Sequence, residues 1–131
     1  MAKGIEIREA HFPGRAPIDA YGSGGFRFAD MSHRGSILCL PSGVHGWDVS
    51  EASTLSAVSL QRVFDEADGI EVLLIGMGPD FARVPPDLQA ELREAGVVTD
   101  AMSTGAAVRT YNVLLAEDRA VAAALIAVDK A

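Results

Sequence analysis

Two glycines at the end of an apolar run form the first candidate ligand site in this sequence. Gly76 and Gly78 flank Met77, directly after the apolar residues of Ile70–Ile75. Glycines at such a place let backbone amides approach a ligand, and ligands of α/β proteins gather where strands end. A dinucleotide fingerprint would need a third glycine that opens a helix, but Phe81 stands there. Two alternatives remain: a small-molecule or anion pocket at Gly76–Gly78, or a turn that simply requires glycine.

Arg109, Tyr111 and Asn112 form a second candidate site. Arg109 and Asn112 are three residues apart, so they are neighbours on one flank of a predicted helix, whereas Tyr111 belongs to its apolar stripe. A guanidinium and an amide together can hold a carboxylate or a partner's backbone. The alternative is that Arg109 packs its aliphatic stem against the sheet. If the first interpretation holds, Arg109 is expected to face Gly78 across a concave site.

The remaining candidate residues give weaker support for a binding or catalytic site. Gly24 lies in the loose run Gly22–Gly25, which bends a strand edge or contacts a ligand. His45 beside Trp47 could line a pocket, so Trp47 is a candidate too, and the alternative is that His45 is a partly exposed strand histidine. The three histidines lack the spacing of a metal site, and no nucleophile elbow is present. Cys39 lies in an apolar run that would keep its thiol inert. The sequence therefore predicts no metal and no cofactor, and it favours a non-enzymatic protein.

Charge and hydropathy narrow the classes of partner. The 131 residues carry a net charge of −7, and the acidic residues are spread evenly. No basic cluster is available to neutralise phosphates, so nucleic acid and anionic membrane surfaces are disfavoured. The longest apolar run, Val121–Val128, falls well short of the roughly 20 residues of a membrane span. The first ten residues resemble neither a secretory signal nor a transit peptide, so a cytoplasmic protein is expected.

These residues must be positioned by a single α/β domain over 1–131, in which 1–19 form an extended arm. The first third is predicted to be β-rich, with a half-buried strand in Ala20–Phe28, a turn over Asp30–Arg34, and strands Gly35–Leu40 and Val44–Trp47. A short helix follows around Leu60–Ala67. The second half alternates strand and helix: strand Ile70–Met77, a helix from Pro86 to Gly96, strand Val97–Met102, a helix capped by Ser103 or Thr104, and strand 121–128. Strands joined in this way usually lie parallel, with right-handed crossovers.

The ordered series of these elements resembles a family. The quoted residues are Ile70–Gly78, Pro85, Pro86, Leu88, Leu92, Gly96, Val97, Met102–Thr104, Ala106, Val108–Asn112, Glu117, Arg119 and Val121–Leu125, with Tyr21, Gly22, Gly24, Phe26, Gly35, Ser36 and Trp47 before them. The series is similar to a small domain of unknown function that occurs in bacterial and archaeal hypothetical proteins. The same domain occurs in a mitochondrial assembly factor of respiratory complex I and in an adipogenesis-associated animal protein.

The resemblance implies a three-layer α/β fold with a mixed central sheet and an additional N-terminal β layer. It implies no enzymatic activity and no cofactor, and it implies a protein partner, since the mitochondrial relatives act in assembly. Met77 stands where the family often has a small or hydroxyl residue, which weakens the idea of an anion site at the glycine turn. The expected function is an interaction or assembly module that serves a respiratory or membrane-protein complex. The alternative is a small-molecule or anion binder, or an enzyme, with a pocket at the glycine turn Gly76–Gly78.

Overall fold

The computed structural model describes residues 12–80 and 82–131. Its nine strands are β1 Phe12–Pro13, β2 Ala20–Gly22, β3 Gly25–Phe28, β4 Met31–Arg34, β5 Ser36–Leu40, β6 Gly43–Trp47, β7 Val72–Gly76, β8 Val98–Met102 and β9 Val121–Leu125. Its α-helices are α1 Gln61–Asp65, α2 Pro86–Glu94 and α3 Thr104–Ala116, and short 3₁₀ turns cover Ala52–Thr54, Val58–Leu60 and Ala67–Gly69. Of the predicted arm 1–19, the first eleven residues lie outside the described part, and the rest holds only the short β1.

The central sheet is mixed and has six strands in the order β1-β6-β5-β9-β7-β8. Strands β1, β6 and β5 pair antiparallel, whereas β7 pairs parallel with both β8 and β9. The two halves meet at β9, which is antiparallel to β5 and parallel to β7, with Leu125 opposite both Ile37 and Gly76. The expectation of a mixed sheet with a β-α-β-α-β second half is confirmed.

Strand β9 confirms a prediction that its own residues opposed. Ala122, Ala123 and Ala124 favour helix by intrinsic propensity, yet all three are fully buried in the middle of the sheet. Hydrogen bonding to a strand on each side satisfies the backbone there. The small side chains suit a strand that is covered on both faces, so tertiary packing outweighs the local preference.

A second, three-stranded sheet forms from the hairpins β2-β3-β4. The turn predicted over Asp30–Arg34 is wrong, because Met31–Arg34 is a strand that pairs with β3. The actual turn is the two-residue loop Ala29–Asp30, whose φ angles of 50° and 64° match the left-handed turns that best suit hairpins. Neither residue is glycine, which is why the sequence conceals this turn.

Two hydrophobic clusters hold the layers together, one on each face of the central sheet. The first joins the sheet to α1 and α2 through Leu60, Val63, Leu88 and Leu92. The second joins it to α3 and to the small sheet. Its contacts include Val108, Tyr111, Phe26 and Phe28. Burying a large apolar side chain contributes about 1.5–3 kcal/mol, so these contacts decide the architecture. The three-layer fold with an N-terminal β layer is confirmed.

The helix boundaries follow the predicted signals. Pro86 opens α2, where its missing N–H costs nothing, and Asp87 lies in the first turn. Ser103 caps α3, its hydroxyl accepting a hydrogen bond from the Ala106 N–H at 3.4 Å. The cap fixes the start of α3 beside the end of β8, and this places Thr104 next to the glycine turn.

Candidate functional site

The glycine turn after β7 is closed by the hydroxyl of Thr104. The Gly78 N–H donates to Thr104 Oγ1 at 3.0 Å, and the same hydroxyl donates to the Ile126 carbonyl at 2.7 Å. The Thr104 N–H in turn donates to the Gly78 carbonyl at 2.9 Å. Thr104 is fully buried. The polar groups that a ligand would need at this turn therefore already bond to one another.

Gly76 and Gly78 are glycines for different reasons. A Cβ at Gly76 would lie 2.9 Å from the Thr104 Cα and 3.1 Å from the Leu125 Cδ2, so only glycine lets α3 approach this closely. A Cβ at Gly78 would have no atom within 4 Å, but the φ of +106° is one that side-chain-bearing residues rarely adopt. Both positions are explained by packing and backbone geometry.

Arg109 does not face this turn. Its side chain is exposed on the side of α3 away from the buried Thr104, Ala107 and Val108. The cavities that border the small sheet, β6 and β8 are not lined by Gly76, Gly78 or Arg109. The concave site with Arg109 opposite Gly78 stays a prediction.

Asn112 and Tyr111 fasten the segment before β2 to α3. The Ile18 N–H donates to Asn112 Oδ1 at 2.8 Å, and Asn112 Nδ2 donates to the Ile18 carbonyl at 2.9 Å. The amide thus satisfies both backbone groups of one residue. The Tyr111 hydroxyl lies 3.5 Å from the Ala16 carbonyl, a long hydrogen bond. The sequence suggested that this amide, together with Arg109, could hold a carboxylate or a partner's backbone, whereas in the structure it binds backbone groups of the chain itself.

Cys39 and Tyr111 form a neutral pair inside the second cluster. Burial raises the pKa of the Cys39 thiol from 9.0 to about 12, although a hydrogen bond with Tyr111 partly opposes that rise. Burial also raises the pKa of Tyr111, and the neighbouring Cys39 adds to the effect. A thiol that stays protonated at neutral pH is a poor nucleophile. The interpretation of Cys39 as a buried hydrophobe agrees with this geometry.

Ser42 and His45 form a contact that looks like a nucleophile and its base. Ser42 Oγ lies 2.8 Å from His45 Nε2. However, that hydroxyl donates its hydrogen to Glu66 Oε2 at 2.6 Å, and the Ser42 N–H donates to Glu66 Oε1 at 2.9 Å. The serine proton therefore points to the carboxylate, whereas a catalytic serine must give it to the imidazole. The contact ties α1 to the β5–β6 turn.

Gly24 and Trp47 have defined structural partners too. The Gly24 N–H donates to the Val128 carbonyl at 2.9 Å, and its carbonyl accepts from the Gly35 N–H at 2.7 Å. The run Gly22–Gly25 therefore joins the small sheet to the segment after β9. Trp47 is 8% exposed, and its indole N–H donates to the Ser59 carbonyl at 2.7 Å. Trp47 also lines a cavity.

That cavity and a neighbouring one form one concave surface. The cavity that Trp47 lines has a volume of about 760 Å³ and lies between β6 and the segment from Ser56 to Arg62, and its neighbour has a volume of about 520 Å³ and lies against the small sheet. Both are lined by His33 and Arg34, so they meet there. The charged side chains that line the two cavities are Arg27, Arg34, Arg62 and Asp48. We call this surface the arginine cleft.

Strand pairing brings two of these arginines together. Arg27 on β3 pairs with Ser32, and Arg34 on β4 pairs with Gly25. Arg34 is therefore the diagonal neighbour of Arg27 on the same face, a spacing of about 7–8 Å between backbones. Phe26 and Phe28 point to the opposite, buried face. Alternation within β3 signals that Arg27 is exposed, but the prediction of a turn over Asp30–Arg34 concealed the place of Arg34 beside it.

The cleft arginines have no acceptor within the described chain. Arg119 forms an ion pair with Glu71 at 3.6 Å, and Arg15 donates to the Arg119 carbonyl at 2.9 Å. No hydrogen bond or ion pair among residues 12–80 and 82–131 engages the guanidinium groups of the cleft. Other exposed arginines share this state, but here three of them border one concavity of an acidic protein. The cleft can therefore bind carboxylates or other anions.

Residues 12–80 and 82–131 contain neither a metal-binding cluster nor a membrane-spanning helix. No group of three or more His, Cys, Asp or Glu side chains among them could hold a metal ion. None of their helices has the length and apolar composition that crossing a bilayer requires.

Comparison with curated proteins finds relatives along nearly the whole chain. An uncharacterized protein of Rhodobacter capsulatus is 42% identical over 91% of this chain and 90% of its own length. The mouse NADH dehydrogenase [ubiquinone] 1 alpha subcomplex assembly factor 3 is 29% identical over 93% of this chain. This chain spans only 66% of the mouse protein's length.

Solved structures share the fold. A crystal structure described as an outer membrane protein from Bartonella henselae is 63% identical, with a TM-score of 0.87, over 90% of this chain and 99% of that one. The Rpa2829 protein from Rhodopseudomonas palustris is 52% identical, with a TM-score of 0.80, over 96% and 92%. A family model matches residues 18–126. The chain therefore belongs to the family described as "Protein of unknown function (DUF498/DUF598)".

Proposed function

We propose that this protein is a non-enzymatic interaction module that assists the assembly of a respiratory or membrane-protein complex, and that the arginine cleft is its docking surface. The observation that carries the proposal is the set of three guanidinium groups that border one open concavity without an internal acceptor. The named role of the animal relatives, which align with most of this chain, supports the assembly context.

The chemistry of the cleft suits a polypeptide partner. Arginine binds carboxylates through two parallel hydrogen bonds, and its stem covers apolar surface. Val58, which is 84% exposed, borders the same cavity as Trp47 and Arg62. Arginine and aromatic side chains dominate the energetics of many protein interfaces. We expect a partner segment that presents carboxylates beside an apolar side chain.

The net charge of the whole chain argues against other polyanions. A protein with a charge of −7 repels nucleic acid and anionic membranes at long range, and three arginines neutralise few phosphates. A short acidic segment of a protein needs no more than these three groups. A cytoplasmic location, facing the complex under assembly, is part of this proposal.

Complementation in Rhodobacter capsulatus tests the proposal. The gene for the 42% identical relative is deleted, and assembled NADH dehydrogenase is measured on native gels by its in-gel activity. We expect the deletion to lower the assembled complex and this chain to restore it. The triple variant Arg27→Glu/Arg34→Glu/Arg62→Glu should accumulate as folded protein but fail to restore it.

The matched control is Arg93→Glu, an equally exposed arginine on α2 outside the cleft. This variant should complement as well as the wild type. Normal assembly in the deletion strain would contradict the assembly role. Full complementation by the triple variant would contradict the cleft as the docking surface.

A further inference from the structure

Strand β8 is the outermost strand of the central sheet, and half of its backbone N–H and C=O groups point away from the sheet. It pairs with β7 alone, in parallel, from Val98 opposite Val72 to Met102 opposite Gly76. The Val98 N–H donates to the Glu71 carbonyl at 3.1 Å, and the Met102 carbonyl accepts from the Met77 N–H at 2.8 Å. Since parallel bonding alternates along a strand, Val98, Asp100 and Met102 bond to β7.

The intervening residues Thr99 and Ala101 therefore direct their N–H and C=O groups outward. No hydrogen bond recorded for the described part of the chain uses these four groups. Both residues are half-buried, and β8 contains neither proline nor a bulge. Proteins usually protect such an edge, since it is a template for another strand.

A groove runs along this edge. Its volume is about 380 Å³, and one wall is formed by Thr99, Asp100 and Ala101. The other wall is the segment from Arg83 to Pro86, together with Gln89. At the start of β8, Val98 is 63% exposed. The edge therefore offers unpaired backbone groups, room for a chain beside them, and an apolar contact at one end.

The charge of Asp100 selects between the two kinds of strand that could pair here. A second copy would pair antiparallel about a two-fold axis. In the register that uses the outward groups of both residues, Thr99 of each copy bonds to Ala101 of the other copy. This register places Asp100 of one copy directly opposite Asp100 of the other. Such a non-hydrogen-bonded pair brings side chains closest, and like charges directly opposite destabilise the pairing. Asp100 is exposed, so its carboxylate meets the strand that pairs there.

We propose that the β8 edge binds an extended segment of a different protein, as an antiparallel seventh strand that places a lysine or arginine opposite Asp100. Backbone bonds to Thr99 and Ala101 supply most of the affinity, and Asp100 supplies the preference for a cationic segment. This surface is separate from the arginine cleft, which would prefer acidic segments. One protein would then hold two partner segments of opposite charge.

The test uses two synthetic peptides, acetyl-Thr-Val-Lys-Val-Thr-amide and the same peptide with Asp in place of Lys. Binding is followed by amide chemical shifts of the ¹⁵N-labelled protein. The lysine peptide should shift the Thr99 and Ala101 amides and bind about two- to tenfold more tightly than the aspartate peptide. Asp100→Lys should invert this preference.

Ala101→Pro should abolish binding, because it removes an outward N–H and no bond to β7. Thr99→Val, which keeps both outward backbone groups, is the matched control and should bind like the wild type. Equal affinities of the two peptides in the wild type, or an unchanged preference in Asp100→Lys, would overturn the proposal. So would shifts confined to the arginine cleft. The triple arginine variant should bind the lysine peptide as the wild type does. The peptide test can therefore contradict the β8 proposal without affecting the docking role of the arginine cleft, and the complementation test can do the reverse.

Discussion

The glycine turn and the arginine cleft differ in how their polar groups are bonded. At the turn, the Thr104 hydroxyl and the Gly78 and Ile126 backbone groups bond to one another inside the protein. At the cleft, the guanidinium groups of Arg27, Arg34 and Arg62 face solvent with no acceptor in the described chain. The turn is the more suggestive in sequence, yet the cleft is the surface with unused binding capacity. Polar groups that satisfy each other indicate architecture, and unsatisfied groups that share a concavity indicate recognition.

Thr104→Val should produce the largest loss of stability and so test the closed state of the turn. The change keeps the shape but leaves the buried Gly78 N–H and Ile126 C=O without their partner. We expect the free energy of unfolding to fall by about 2–4 kcal/mol, measured by guanidinium denaturation. Thr104→Ser keeps the hydroxyl and should lose only about 1 kcal/mol. Equal losses in the two variants would show that the hydroxyl has no structural role.

The pH dependence of stability should show whether the core around Cys39 excludes water. The Cys39 thiol has a pKa of 9.0 when exposed in the unfolded chain and about 12 in the folded protein. Its contribution to stability is thus complete below pH 9 and is lost as the pH rises towards 12. Between pH 8 and pH 10 the unfolding free energy should fall by about 1.4 kcal/mol more in the wild type than in Cys39→Ala.

Urea denaturation of both proteins at the two pH values measures this difference. The Tyr111 hydroxyl remains in both, so its own titration largely cancels in the comparison. If the wild type and Cys39→Ala lose the same stability, the thiol ionises as easily in the folded protein as outside it. The core around β5 would then admit water.

Single charge reversals in the cleft should change the free energy of unfolding least. They test whether the cleft arginines, unlike the groups of the glycine turn, have no structural partner. Arg34→Glu and Arg62→Glu remove no internal bond, and the free energy of unfolding should change by no more than about 0.5 kcal/mol. Denaturation curves of these variants beside Arg93→Glu measure the effect. A loss of several kcal/mol in either cleft variant would show that its arginine has a structural partner, which would remove it from the docking surface.

Much of the fold was predictable because its signals are local. The apolar run of β7, the proline that opens α2 and the serine that caps α3 each act within a few residues. The Ala29–Asp30 turn was missed because neither residue is glycine, and only the pairing of β3 with β4 imposes its left-handed geometry.

The candidate site was less predictable because it depends on contacts between distant segments. Thr104 could be read as a helix cap, but its bond to the Ile126 carbonyl exists only once α3 lies against β9. Alternation within β3 places Arg27 on the exposed face, but Arg34 joins it there only through the pairing of β3 with β4. Arg62 reaches the same cleft only through the way α1 packs on the sheet, and no local pattern encodes that.

The position of β9 in the sheet has a consequence for synthesis. It is the last strand to be made, yet it is the strand through which β5 and β7 belong to one sheet. While the ribosome still holds residues 121–125, the early antiparallel strands and the later parallel pair have no backbone connection across the sheet. Each half must wait with an open edge, so the central sheet can close only after residues 121–125 have left the ribosome. A truncation just before Val121 should therefore leave two unjoined halves, exposed to the cell's folding machinery.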